Sequence, residues 1–331
     1  MKPDIPKAKL GFLPTPLAPL GRLSKFLGLR VLIKRDDLTG LALGGNKTRK
    51  LEYLVGAALA EGCDTLITGG AAQSNHCRQT AAAAAMTGLD CHLVLGGEEP
   101  ELAGGNLLLD RLLGATVHWC GPLRKGEKIP EIADELRRKG KKPYIIPYGG
   151  SNALGALGFV EAAAELKSQL DAMGETASDI VFPSSSGGTH GGLIAGAAAA
   201  GLRARIVGIQ IDKGEAGDLP FANRVLEIAR DSASLAGIAA SFSNRDVHLE
   251  SGFTGGGYGV VGELERDAIA LLAGLEGILV DPVYTGRAFG ALVKLAQAGA
   301  FGSGPVVFWH TGGSPAIFSY ANELTVNPAG S

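Results

Sequence analysis

Short apolar runs alternate with stretches of helical period along nearly the whole chain, and this alternation limits the fold more than any other feature. Val31-Leu32-Ile33-Lys34-Arg35-Asp36-Asp37, Thr65-Leu66-Ile67-Thr68, His92-Leu93-Val94-Leu95, Thr116-Val117-His118-Trp119 and Tyr144-Ile145-Ile146-Pro147 read as strands in the first half. Residues 179–182, 206–211, 278–283 and 306–310 read as strands in the second. Helical spacing fills the intervals, from Lys47 onward and over 77–86, 106–113, 129–139, 158–173, 222–235 and 263–274. The first of the inner strands is expected to stop at Gly69-Gly70, and the 212–251 stretch outside its helix has no clear pattern. Strands that alternate with helices build βαβ units, so the expected class is α/β, with two open domains whose sheets are mainly parallel.

Leu43-Gly44-Gly45-Asn46-Lys47-Thr48-Arg49-Lys50-Leu51-Glu52 stands where a loop enters a helix. Glycine lets the backbone reach φ > 0 and lets a ligand come close. Leu51, Leu54, Val55, Ala58 and Leu59 continue at helical spacing, which puts Lys47 at the helix start. An ammonium is disfavoured at the positive end of a helix dipole. A lysine there deprotonates more easily, as a Schiff-base lysine must. The same residues also fit a solvated cluster of Lys47, Arg49 and Lys50.

Two further loops sit between a strand and a helix. Ser184 to Gly192 offers three serines, a threonine and four glycines at a helix N-terminus, a setting that attracts an anion such as phosphate. It lacks the Gly-Lys-Ser/Thr end of a Walker loop and the GxGxxG spacing of a dinucleotide site. Gln73-Ser74-Asn75-His76 offers a hydroxyl, two amides and an imidazole, which suit a carboxylate but, taken alone, more often make a helix cap. Tyr258 and Tyr284 lie in or beside glycine loops, where a ring can stack on a planar ligand or simply pack.

Composition narrows the class. A net charge of -2 gives no reason to expect nucleic acid. The four cysteines, Cys63, Cys77, Cys91 and Cys120, form no CxxC pair, so no metal site is expected and the thiols suit a reducing cytoplasm. Met1-Lys2-Pro3-Asp4-Ile5-Pro6 has no apolar h-region, and the alanine run 195–200 is too short to span a bilayer.

Taken in order, Gly44-Gly45-Asn46-Lys47 with Arg49-Lys50-Leu51-Glu52, Gln73-Ser74-Asn75-His76, Ser186-Gly187-Gly188-Thr189-His190, Gly257-Tyr258-Gly259, Asp281-Pro282-Val283-Tyr284-Thr285-Gly286 and His310-Thr311-Gly312-Gly313 cover nearly the whole chain. Together they resemble the D-cysteine desulfhydrase and 1-aminocyclopropane-1-carboxylate (ACC) deaminase family, within the tryptophan synthase β-like, fold type II enzymes that use pyridoxal 5'-phosphate (PLP). The resemblance implies that Lys47 holds PLP, next to Asn46. It implies that Ser186, Gly187, Gly188, Thr189, His190 and Gly191 hold the phosphate, and that Asn75 bonds the phenolic oxygen. Gln73, Ser74, Asn75, His76 and Gly312 would meet the substrate. Tyr284 would stack near the ring, Tyr258 would approach the substrate, and Lys47 or Ser74 would move the Cα proton.

Position 285 separates members of the resembling family. ACC deaminases carry Glu there, facing the ring nitrogen, where a carboxylate strengthens the electron sink. Here Thr285, or Thr311, would be a neutral partner, which favours β-elimination from D-cysteine. L-Cysteate sulfo-lyase is the alternative, ahead of ACC deaminase or a non-catalytic binder on the same scaffold. The expected domains are 1–47 plus 156–331 for the larger and 48–155 for the smaller. The expected state is a cytoplasmic homodimer acting on a small amino acid, with neither membrane nor nucleic acid as partner.

Overall fold

A computed structural model describes residues 5–212 and 220–325. Part of the N-terminal hexapeptide and part of the unpatterned 212–251 stretch therefore lie outside the described residues. Six strands form one sheet, in the spatial order β1 (Leu17–Pro19), β2 (Val31–Arg35), β10 (Val306–His310), β7 (Asp179–Ser184), β8 (Arg205–Gln210) and β9 (His248–Glu250). Only β1 runs antiparallel; the other neighbours are parallel. A second sheet of four parallel strands has the order β5 (Thr116–Trp119), β4 (Asp90–Gly96), β3 (Thr65–Ala71) and β6 (Pro143–Ile145).

Helices cover both sheets because the strands are apolar on both faces. The four-stranded sheet takes α2 (Lys47–Ala60), α3 (Asn75–Thr87), α4 (Gly105–Leu112) and α5 (Ile129–Arg138). One face of the larger sheet packs on α6 (Ala153–Ala172), α7 (Gly188–Ala200) and α8 (Phe221–Ala236), around Phe159, Phe182, Leu193 and Trp309. The other face packs on α1 (Gly21–Leu27), α9 (Glu263–Glu276) and α10 (Thr285–Gln297), around Ile33, Phe289 and Phe308. A last short helix, α11, spans Ala321–Leu324.

Four local expectations change. β3 continues through Gly69 and Gly70 to Ala71. A Cβ on Gly70 would lie 2.7 Å from Ser74 Oγ, so glycine here admits a close neighbour and leaves the strand intact. Residues 278–283 form no strand: the Leu279 carbonyl accepts from His310 Nε2, and Asp281 caps the next helix. An apolar run marks burial, and burial without a ladder looks the same in sequence. α9 passes Gly274 and ends at Gly277, whose φ of 67° is a left-handed cap. α6 begins five residues before the expected start, where the Asn152 side chain accepts from Gly155 N.

Candidate active site

The carboxyl ends of β3 and β7 face a common cleft of about 590 Å³, part of it continuous with solvent. Open parallel sheets place ligands at such ends, where helix N-termini converge. Lys47, the first residue of α2, enters the cleft together with Ser74, Asn75 and His76 from the start of α3. Ser185, Ser186 and Gly187 come from the turn between β7 and α7, Thr189 and His190 from the first turn of α7, and Asn46, Tyr148, Tyr284 and Thr311 also line it.

The loop before Lys47 is held from below. Thr39 Oγ1 accepts from Gly45 N, and the Asp36 carbonyl accepts from the same amide. Gly44 has φ 69°, and a Cβ there would sit 1.9 Å from the Asp37 carbonyl oxygen. Glycine is required at that contact. Asn46 joins the loop to the start of α7: its Nδ2 donates to Thr189 Oγ1 at 3.0 Å, and its Oδ1 accepts from Lys47 Nζ at 3.2 Å.

The Lys47 amine is brought down from 10.5 to about 8. Burial is the main cause, the Arg78 guanidinium adds to it, and Asp281 opposes it. The direction matches the helix-start expectation, but the stronger causes are tertiary. Arg78 has neutral hydrogen-bond acceptors: Gly44 O at 2.6 Å, Asn106 Oδ1 at 2.6 Å and Asn75 Oδ1 at 3.1 Å. Its charge therefore reaches Lys47. In the cofactor-free protein, we expect an amine-selective reagent to modify Lys47 with a midpoint near pH 8. Arg78→Met should move that midpoint upward, as read by mass spectrometry across pH. An unmoved midpoint would leave burial as the sole cause.

The same bonds orient Asn75. Its Oδ1 is taken by Arg78 and by Asn106 Nδ2 at 3.0 Å, so its Nδ2 is the group able to donate into the cleft. Thr68 Oγ1 spends its proton on the Ile146 carbonyl, so at 2.9 Å it accepts from His76 Nε2. His76 Nδ1 is then a bare acceptor, buried and without a partner among the described residues. Burial, then Lys47 and Lys50, hold this imidazole well below its usual value, so it stays neutral. Ser74 caps α3 by accepting from Cys77 N, as the sequence allowed.

Lys50, expected only as part of a solvated cluster, is buried under the β7–α7 turn. Its Nζ donates to Gly149 O and Ser151 Oγ, both at 3.1 Å. Ser151 Oγ also lies 2.8 Å from Ser186 Oγ and accepts from Gly188 N. A Cβ on Gly188 would fall 2.6 Å from Ser151 Oγ and 2.8 Å from Lys50 Nζ. Gly187 enters α7 at φ 86°. A buried amine, hydroxyls and a helix N-terminus thus surround one small space.

Residues 8–312 match the sequence profile of the pyridoxal-phosphate dependent enzymes. The chain belongs to this family. A pyridoxal-phosphate dependent enzyme needs an amine for the cofactor aldehyde and an anion seat for its phosphate, and this cleft has both. A D-cysteine desulfhydrase of Klebsiella pneumoniae (strain 342) is 44% identical over 326 residues, covering 96% of this chain and 97% of its own length. The D-cysteine desulfhydrase of Salmonella choleraesuis (strain SC-B67) is 42% identical over 323 residues, covering 95% and 96%. A crystal structure of an ACC deaminase homologue superposes with a TM-score of 0.89 at 38% identity, covering 97% of this chain and 96% of that one. An L-serine ammonia-lyase from Rhizomucor miehei shares the fold alone, with a TM-score of 0.67 at 19% identity, covering 96% and 99%. The chain is thus a fold type II, PLP-dependent lyase of the D-cysteine desulfhydrase and ACC deaminase family.

The structure separates the expected site residues of this family member into two groups. Lys47, Asn46, Ser74, Asn75, His76, Ser186, Gly187, Thr189, His190, Tyr284 and Thr311 line the cleft. Tyr258 stands behind Tyr284, its hydroxyl 2.6 Å from that of Tyr284. Thr285, expected at the ring nitrogen, is not among the lining residues; its hydroxyl donates to Asp281 Oδ1 at 2.6 Å and accepts from Asp281 N at 2.8 Å. Gly312 also lies outside, its carbonyl 3.3 Å from Thr285 Oγ1. Gln73 caps α4 instead, accepting from Asn106 N and donating to Gly104 O. Gly191 serves packing, because a Cβ there would meet Ala229 N on α8 at 2.9 Å. Lys50 and Tyr148 were missed, and Ser185, read as part of the anion-binding loop, joins the lining. A Lys three positions after Lys47 lies on the same helix face, and that spacing was the available signal.

Proposed function

We propose that this chain is a D-cysteine desulfhydrase, converting D-cysteine and water to pyruvate, sulfide and ammonia. The observation that carries the reading is the Lys47 amine, brought down to about 8, in one cleft with Ser74, the neutral Thr311 and Tyr284, whose hydroxyl pairs with that of Tyr258. The two desulfhydrase relatives and their coverage support the substrate.

When bound, PLP supplies a conjugated ring that takes up the electron pair left on Cα as its proton departs. Lys47 would anchor it, Lys50 and the Ser185–Thr189 turn would donate hydrogen bonds to its phosphate, and Asn75 would donate to its phenolic oxygen. The substrate carboxylate is received by the α3 N-terminus at Ser74 to His76, where helix N–H groups favour an anion. Once free, the Lys47 amine takes the Cα proton on its face, and the Ser74 hydroxyl stands ready on the other. The Cβ–S bond then breaks with its electron pair on sulfur. Burial raises both tyrosine hydroxyls well above 10, so each keeps its proton and can lend it to the departing sulfur. A positioned acid of this kind is worth ~10²–10⁴-fold.

Thr311 takes over from Thr285 as the neutral group at the ring nitrogen. Thr285→Val should cost about 1–3 kcal/mol of stability, because it strips a buried acceptor from Asp281 N, and leave the holoenzyme absorbance unchanged. Thr311→Val should shift that absorbance. The reverse pattern would return Thr285 to the cofactor.

The four-stranded sheet with its helices, residues 48–155, is proposed as the smaller domain, and 1–47 with 156–331 as the larger. A cytoplasmic homodimer is proposed for the assembly. No helix among the described residues is long and apolar enough to cross a membrane. The deciding assay is kcat/KM for D-cysteine, L-cysteine, L-cysteate and ACC with purified holoenzyme. Sulfide from D-cysteine should dominate; sulfite from L-cysteate outrunning it would replace the substrate while keeping the elimination.

A further inference from the structure

Residues 120–126, after β5, turn back over the carboxyl ends of β3 and β4. The turn is pinned by Cys120 N to Leu95 O at 2.8 Å and by paired Gly97–Gly121 backbone bonds. Both strands carry a glycine beneath it. A Cβ on Gly69 would lie 2.8 Å from Gly126 Cα, and one on Gly96 would lie 2.4 Å from Arg124 Cβ. The four-stranded sheet is therefore cut away to seat Arg124.

From this seat Arg124 crosses to the other sheet. Its Nη2 donates to Asp212 Oδ2 at 2.5 Å, two residues after β8. Its guanidinium carbon stands 4.5 Å from the centre of the Tyr258 ring. A guanidinium is planar and stacks on aromatic faces, which a cation at this distance does favourably. Tyr258 sits between Gly257 at φ 108° and Gly259 at φ 71°, in a loop whose backbone Arg287 holds at Gly257 O and Val260 O, while Arg124 is the cation on its ring. Its ring meets that of Tyr284 edge-on, with centres 5.7 Å apart. Tyr284 lines the cleft. A surface ion pair alone would carry little; here the pair fixes a cation on the ring whose hydroxyl lies 2.6 Å from that of Tyr284, a lining residue of the cleft.

We propose that Arg124 is a positioning residue for the Tyr258–Tyr284 hydroxyl pair, clamping the Tyr258 ring from the opposite sheet. The proposal rests on the reading of that pair as the proton source for the leaving group. Clamping acts on geometry in the chemical step, so it should show in kcat more than in KM.

The test compares wild-type, Arg124→Met, Arg124→Lys, Tyr258→Phe and the Arg124→Met/Tyr258→Phe double variant as holoenzymes with equal bound PLP. Arg124→Met should lower kcat for D-cysteine by about 10²-fold, the scale of a misplaced catalytic group, with KM little changed. The double variant should be no slower than Tyr258→Phe alone, since the clamp has nothing left to hold. Arg124→Lys keeps a cation over the ring and should regain part of the loss. Losses that multiply in the double variant, or a change confined to KM, would overturn the proposal. Near-ultraviolet circular dichroism decides separately from turnover. Arg124→Met and Tyr258→Phe should alter the same tyrosine band, and an Arg124→Met band identical to wild-type would overturn the clamp. Absence of sulfide from D-cysteine with the wild-type enzyme would instead overturn the substrate reading, and the spectrum would still decide on Arg124.

Discussion

Lys47→Ala is expected to lower kcat by at least roughly 10⁴-fold, because one residue supplies both the anchoring amine and the carrier of the Cα proton. The loss should not be recovered by raising PLP, since the missing group acts in the chemical step as well as in binding. Borohydride treatment of the wild-type enzyme should fix the cofactor to a peptide that contains Lys47, and the variant should yield no such peptide. Among the described residues, the neighbouring Lys50 is the amine whose substitution must be tested. It is tied to Gly149 O and Ser151 Oγ, and burial, then the Lys47 charge, push its own value well below 10.5. Repeated turnover in Lys47→Ala, with label on Lys50, would show that the assignment of the two lysines is reversed.

The second large effect concerns the support under the Lys47 loop. Arg49 is buried between two carboxylates: its Nε and Nη2 donate to Asp36, and Nη1 and Nη2 donate to Glu165 at 2.9 Å. Lys34, also buried, pairs with Glu165 as well. Asp36 in turn accepts Gly45 N on its backbone carbonyl, so the ion cluster carries the loop that presents Asn46 and Lys47. Arg49→Met leaves the fully buried Asp36 carboxylate without its cation and should cost about 3–5 kcal/mol in urea unfolding. Adding Asp36→Asn removes the uncompensated charge and should return part of that loss. A cost below about 1 kcal/mol, the range of exposed ion pairs, would mean that water reaches the cluster.

The same cluster sets an acid limit. Burial alone would raise the Glu165 carboxyl, but the Arg49 hydrogen bonds, the Arg49 charge and Lys34 outweigh it and hold it down to about 2, against 4.5 for a free carboxyl. A depressed carboxyl stabilises the fold above its unfolded value and loses that contribution as pH falls through its folded one. Stability should therefore decline from about pH 4.5 down toward pH 2. Arg49→Met should flatten that decline, as equilibrium unfolding at several pH values would read out.

The ordering of strands and helices, the lysine at the opening of α2, and the hydroxyl-rich turn before α7 were all legible in the chain. Each rests on spacing along a few residues, and local spacing survives folding unchanged. Recognition of the family rested on six such motifs in order, and the sequence profile and desulfhydrase relatives agree with it. The tertiary structure alone decided the rest. Thr285 reads as the neutral group in the sequence, with Thr311 behind it; folding bonds the Thr285 hydroxyl to Asp281 at 2.6 Å and puts Thr311 in the cleft lining. Lys50 reads as a surface cation until β7 and residues 149–151 close over it. Arg78, thirty-one positions from Lys47, lowers that amine only because α3 packs its guanidinium beside the cleft. Hydroxyl direction, desolvation and charge at a distance depend on which distant segments meet. They have no period in the sequence, and folding creates them.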